Sequence, residues 1–460
     1  MEVLQRTANR GSIATGAASY DIENSLKVEA DDSQYIDDRH YTAGNRKKLT
    51  ISFWFKRTEL GQAQMPYEQS SLQARIYLRS TDDLYITAYD NSGWTIITNR
   101  LFRDTSAWYH CVFQLDTTQS TAADRMKLWI NGQQETSFSS ASYPTQNADT
   151  FFNTNQSAKV GGGGAGLYFS GYMSEFFFID DQALQASDFG EYDSDSGIWI
   201  PKEYDGTFGG QSYYLEFKNA SNLADRSDGL SNGVSLSVQN ITSADQATDT
   251  PTNNFCTWIP LWTYPKVAGI ENGGTSTNAN FNASTWRGAK GSMGVSRGKW
   301  YWEQKASGND TIVGWQTDNC VPDSGTNSHN TISTIAYYEG GNFLWIKDST
   351  SGRNADTMSG TYAGGQIDGM ALDLDSSPQT VTFYRNGTAI LSNRNIDGLA
   401  NQTLFPMTSH YNQTSDANFG GYTNISNAHT NTDENGYGSF VYSPPSGYYA
   451  LCTKNLAEYG

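Results

Sequence analysis

The sequence predicts an all-β protein: two antiparallel β-sandwich domains of jelly-roll type behind a short N-terminal arm. Three observations carry this. Apolar residues recur with a period of two in short runs, and long Ala/Leu/Glu/Lys stretches with a 3.6 period are missing. Gly 44 and 13% aromatic residues with only 37% hydrophobic residues suit short strands and many turns. The third is a hairpin unit that occurs twice.

The first copy is Trp108–Phe138, WYHCVFQLDTTQSTAADRMKLWINGQQETSF. WYHCVFQL and RMKLWI alternate, and the second run meets Asn131-Gly132. Asn-Gly between alternating runs signals a type I′ turn, whose two central residues need positive φ. Three antiparallel strands are expected here. The second copy is Gly369–Leu391, GMALDLDSSPQTVTFYRNGTAIL, turning at Asn386-Gly387. Two copies around a Ser/Asn/Gly-rich middle predict two β-domains built alike.

In chain order, residues 1–19 read as a polar arm and 20–218 as the first sandwich. Leu49–Phe55 (LTISFWF) is a strand buried on both faces. Arg75–Leu78, Leu84–Tyr89 and Trp94–Thr98 follow, then the Trp108 unit, a loop ASYPTQNADTFFNTNQS, a glycine-rich bend and the strand Tyr172–Ile179. QALQASDFGEY is the helix candidate, one turn or two. Residues 219–262 read as a connector partly ordered by Val234–Val238 and Phe255–Trp262, and 263–460 as the second sandwich with its tail.

The 460 residues suffice for two or three cored domains. A net charge of −18 argues against nucleic acid, which needs a basic patch. The block Asn45-Arg46-Lys47-Lys48 is short and reads as the solvated start of a strand. Cys111, Cys256, Cys320 and Cys452 are dispersed without a CxxC pair, so no disulfide framework is expected and Cys111 reads as a buried thiol. The first residues show no apolar core of a signal peptide, and no 18-residue apolar run predicts membrane insertion.

LTISFWF, WYHCVFQLD, RMKLWINGQ and LYFSGYMSEFFFIDDQAL resemble a laminin-G-like domain of the concanavalin A-like lectin/glucanase superfamily, over residues 20–218. GKWYWE, GMALDLDSSPQTVTFYRNG, LFPMTSHYN and ANFGG resemble a SPRY domain, over 285–422. With NRGSIATG in front, DTPTNNFC between and PPSGYYALCTKNL behind, the order resembles virion proteins of marine tailed bacteriophages. The resemblance implies a non-enzymatic structural protein of the virion, assembled in the host bacterial cytoplasm and displayed as a fibre, knob or decoration. It also implies adhesion to host-surface glycan. The partners expected are other virion proteins through the arm and further copies in a homo-oligomer. The alternative is a tail-spike-like glycan hydrolase.

Hydrolysis needs two carboxylates flanking one bond, about 5–5.5 Å apart for retention or 6.5–9.5 Å for inversion. A Glu-x-Asp-x-x-Glu strand would supply them and none is found; Glu175 and Glu303 stand alone and read as strand-face acids. His110 reads as a hydrogen-bonded sheet residue, no His or Cys pair has zinc spacing, and Gly161–Gly164 is a turn, since no Gly-Lys-Ser/Thr follows. Calcium is the cofactor to test, with Asp116, Asp180 and Asp181 as its ligands; Asp193 and Asp195 lack the rest of a calcium loop, and each Asp also suits a turn. Glycan needs aromatic faces beside Asn/Asp hydrogen bonds, which nominates Asp90, Asn91 and Trp94 at one tip and Tyr337 and Tyr338 in the second domain.

Overall fold

A computed structural model describes residues 20–69, 71–88, 93–261, 269–278, 286–318, 334–338, 343–347 and 363–460. The arm, 1–19, lies outside them. The described chain forms two compact units that meet in sequence at Thr252 and Asn253. Both are antiparallel sandwiches, and the one α-helix among the described residues is Thr453–Tyr459. Among the described residues no helix is long and apolar enough to cross a membrane.

In the first unit Lys48–Arg57 lies at the centre. It pairs with Tyr109–Asp116 on one side and with Gly171–Asp180 on the other. Its odd positions Ile51, Phe53 and Phe55 enter the main core, while Ser52 and Trp54 point to the outer face. This is why the run LTISFWF is continuous rather than alternating. The opposite sheet runs, in spatial order, through Phe138–Ser142, Trp94–Leu101, Asp83–Ala88, Ala74–Leu78, Gln64–Gln69, Ser157–Val160, Tyr35–His40 and Val234–Gln239. Its inward Tyr67, Ile76 and Ile86 close the core over Phe113 and Phe176. Burying each such aromatic or aliphatic side chain contributes about 1.5–3 kcal/mol.

Residues 219–252 of the segment read as a connector are part of this unit, and the rest belongs to the second. Val234–Gln239 extends one sheet along Tyr35–His40, and Gln246–Ala247 extends the other along Ser25–Val28. Asp249 then takes a bond from the buried Lys56 ammonium at 2.7 Å and one from the Trp108 indole at 3.0 Å. Polar composition hid this because these are edge strands, with one flank open to water.

Among the described residues the second unit has an eight-stranded sheet containing Lys299–Ala306, Ile367–Asp373, Thr380–Arg385 and Thr388–Asn395. Facing it is a five-stranded sheet in the order Arg287–Lys290, Leu404–His410, Thr311–Thr317, Thr334–Tyr338, Phe343–Lys347. Trp258, Trp300, Trp302 and Trp315 fill the core. The last four residues of DTPTNNFC and the tail come together here: Phe255 bridges Cys452, and the Asn254 amide donates to the Thr453 hydroxyl at 3.0 Å. The tail covers the outer face of the larger sheet, where Phe440 and Ala450 pack on Tyr301 and Ala371.

Both expected turns are type I′, with φ of 49° and 76° at Asn131-Gly132 and 46° and 77° at Asn386-Gly387. The strand after the first is only Gln133–Gln134; Phe138 already belongs to the opposite sheet. The helix candidate condenses to one 3-10 turn, Ala186–Asp188. Cys111, Cys256 and Cys452 are buried free thiols.

Candidate functional site

Three loops of the first unit surround a cleft of about 470 Å³. The loop before Lys48–Arg57 supplies Ala43 and Arg46, and the turn after Gln64–Gln69 supplies Ser71 and Gln73. The long loop before Ser157–Val160 supplies Phe151 and the run Thr154, Asn155, Gln156. Phe151 and Phe152 are adjacent, so their side chains diverge: Phe152 is fully buried on Phe113 and Tyr67, and Phe151 faces the cleft. The lining joins one aromatic ring to amide and hydroxyl groups that both donate and accept hydrogen bonds. Its size falls in the range of small-molecule sites.

Buried amides and one carboxylate hold these loops in place. Gln69 accepts a bond from the Asn153 amide at 2.6 Å and donates to the Thr154 and Gln156 carbonyls at 3.0 and 3.3 Å. Asp180 accepts three: from the Asn153 side chain at 2.5 Å, and from the Asn45 and Gln211 amides, each at 2.8 Å. The chain crosses so closely that a Cβ on Gly44 would stand 2.3 Å from the Asn153 amide nitrogen, and one on Gly210 would stand 1.9 Å from an Asp180 oxygen. Asp180 is thus a brace between three loops.

That arrangement corrects the calcium expectation. Asp180 is buried and both its oxygens accept N–H bonds from the surrounding loops, so the geometry gives it a structural role that needs no cation. Asp181 accepts from the Asn45 side chain at 2.5 Å. Asp116 closes a turn, accepting from the Thr118 amide and hydroxyl and from Gln119; burial pushes its carboxyl up, but these bonds outweigh that and hold it below its ordinary value. Among the described residues no three His, Cys, Asp or Glu side chains are placed to hold a metal ion.

The nominated aromatic residues are corrected as well. Trp94 is 3% exposed in the first core, and Tyr337 is fully buried in the second, its hydroxyl taking a bond from Arg385. Neither offers a face to a sugar. Tyr338 is half-buried, edge-on to Trp286 at 5.8 Å, with its hydroxyl on Asp310. Asp90 and Asn91 lie outside the described residues.

The two single glutamates sit on the outer faces of central strands, as expected, but in dry surroundings. Glu175 has a φ of 50° where the strand bulges, and accepts bonds from the Tyr214 and Tyr20 hydroxyls at 2.6 and 2.8 Å. Glu303 accepts four, from the Val441 and Tyr442 amides, the Tyr301 hydroxyl and the Asn418 side chain. Burial pushes both carboxyls up to about 7. Glu303 ties down the tail.

His110 also stays structural. The Trp199 indole donates to its Nδ1 at 3.0 Å, so Nε2 carries the proton and donates to the Ser52 hydroxyl at 2.9 Å. Burial pulls the imidazole down to about 3, leaving it neutral.

Residues 29–188 match the family model of the concanavalin A-like lectin/glucanases superfamily. All three cleft loops fall inside that span. No curated protein matches the sequence. Among solved structures, the SPRY domain of human HERC1 is similar at 19% identity over 33% of this chain and 92% of its own, with a TM-score of 0.26. The TRIM65 PSpry domain is similar at 17% identity over 36% and 89%, with a TM-score of 0.29. A native heptameric SAP-like pentraxin from Limulus polyphemus is similar at 15% identity over 48% and 98%, also with a TM-score of 0.29.

Sequence reasoning passed over Arg46, Phe151, Gln73 and the 154–156 run. One signal was available, the pair Phe151-Phe152 in an otherwise polar loop, since only one of two adjacent loop aromatics can turn inward.

Proposed function

We propose that this chain is a non-enzymatic carbohydrate-binding protein whose saccharide site is the cleft on the first sandwich. The observation that carries the reading is the lining itself: a Phe151 ring beside the Gln73, Asn155 and Gln156 amides and the Ser71 hydroxyl. A pyranose needs an apolar surface for its C–H face and paired donors and acceptors for its hydroxyls. The bracing by Asp180 and Gln69 prepares the loops in advance, which lowers the ordering cost of binding. The lectin-type family match over the same residues favours the same reading.

A glycan array probed with the full chain tests this. Retention on one class of glycan is expected, with Phe151→Ala and Gln73→Ala each lowering affinity about tenfold or more. Retention indifferent to both substitutions would place any binding elsewhere.

Display on a bacteriophage particle, as a fibre, knob or decoration joined to other virion proteins through residues 1–19, is proposed from the resemblance of the quoted segments. Imaging of the intact virion tests it: density for both sandwiches on the tail or the capsid lattice is expected, and particles lacking the chain would contradict it.

A further inference from the structure

We infer that the cleft takes an anionic saccharide, one bearing a carboxylate or a sulfate ester, with Arg46 as the residue that binds the anion. The inference rests on the reading of the cleft as a saccharide site and adds the charge of its ligand.

The chain carries 48 Asp and Glu against 30 Lys and Arg, so a cleft of average composition would be acidic. Among the described residues that line this one there is no Asp or Glu, and Arg46 is the one cation. The Arg46 side chain is fixed in two ways. Its Nε donates to the Thr150 carbonyl at 2.7 Å, and its guanidinium carbon stands 5.9 Å over the Phe151 ring. Neither contact uses the terminal nitrogens Nη1 and Nη2, which have no partner among the described residues. The acid nearest in sequence on the facing loop, Asp149, lies 3.8 Å from the Lys47 ammonium instead.

A guanidinium held by its Nε and one ring face keeps a planar pair of donors pointing outward. That fork matches the two oxygens of a carboxylate or sulfate better than it matches a neutral hydroxyl. Phe151 then serves twice, as a platform for the sugar ring and as the surface that orients the guanidinium. The basic block Asn45-Arg46-Lys47-Lys48 acquires a use beyond starting a strand.

Isothermal titration of the full chain with alginate oligosaccharide, dextran sulfate and neutral dextran tests this. Alginate supplies carboxylates, dextran sulfate supplies sulfate esters, and dextran supplies neither. At least one anionic probe is expected to bind tenfold or more tighter than dextran. Arg46→Gln should remove that preference, Arg46→Lys should restore part of it, and the far-UV circular dichroism of both should match wild type. Which anionic probe binds distinguishes the two chemistries. Should dextran bind as well as the anionic probes, with Phe151→Ala abolishing binding and Arg46→Gln leaving it unchanged, the saccharide site stands and the anionic ligand is overturned. Should neither anionic probe bind while the array retains a neutral glycan that Phe151→Ala releases, the anionic ligand is likewise overturned and the saccharide site stands; binding that ignores Phe151→Ala overturns both.

Discussion

Glu175 lies 5% exposed between two phenols, at a left-handed position that non-glycine residues seldom take. Its carboxyl is raised from 4.5 to about 7 by burial in the folded state. The folded chain therefore binds a proton more tightly than the unfolded chain does. The resulting stabilisation is complete below pH 4.5 and disappears as pH rises through about 7. A neutral isostere escapes this. Glu175→Gln is expected to gain on wild type between pH 5 and 8, by at most about 3 kcal/mol, read as a widening gap in denaturation midpoints. A gap that does not change with pH would contradict it. His110 acts oppositely: its lowered value means that stability is full above pH 6.5 and falls away as pH drops toward 3. Asp180 belongs to this scale too, since its removal leaves three N–H donors without an acceptor, each costing about 1–3 kcal/mol where buried.

At the scale of elements, the turn at Asn131-Gly132 does more than join two strands. A Cβ on Gly132 would meet the Trp199 ring at 2.2 Å, and one on Gly190 would meet it at 2.5 Å. Trp199 is thus wedged between two glycines so that its indole reaches His110. Gly132→Ala combines strained backbone with this clash and is expected to cost about 1–3 kcal/mol and to alter the near-UV circular dichroism of the Trp199–His110 pair. A wild-type spectrum and midpoint would contradict this. The turn was legible in the sequence because type I′ geometry is a local demand on two residues. The central strands were legible because burial on both faces leaves a continuous apolar run. Val234–Gln239 was not, since an edge strand half in water keeps a polar sequence. The cleft was not legible either. Its residues come from positions more than 100 apart, and what joins them is the Asp180 carboxylate, whose sequence suggested calcium as readily as amide donors. Trp94 and Tyr337 misled for the converse reason: an aromatic residue beside a turn looks exposed until the opposite sheet covers it.

The described chain is two sandwiches, the first completed by strands from the segment that sequence alone reads as a connector and the second by its tail. In the second unit the tail contributes two backbone donors to the buried Glu303 and seals the outer face of the larger sheet. Deleting residues 441–460 leaves that carboxylate short of partners and exposes Tyr301. The expected result is loss of protease resistance throughout residues 253–440 in limited proteolysis, and unchanged resistance there would contradict it. A crystal structure of the chain grown with the glycan that an array identifies would locate the saccharide. A sugar ring is expected against Phe151, with its hydroxyls on Gln73, Asn155 or Gln156 and an acidic substituent on Arg46. A sugar bound elsewhere, with the cleft empty, would contradict it.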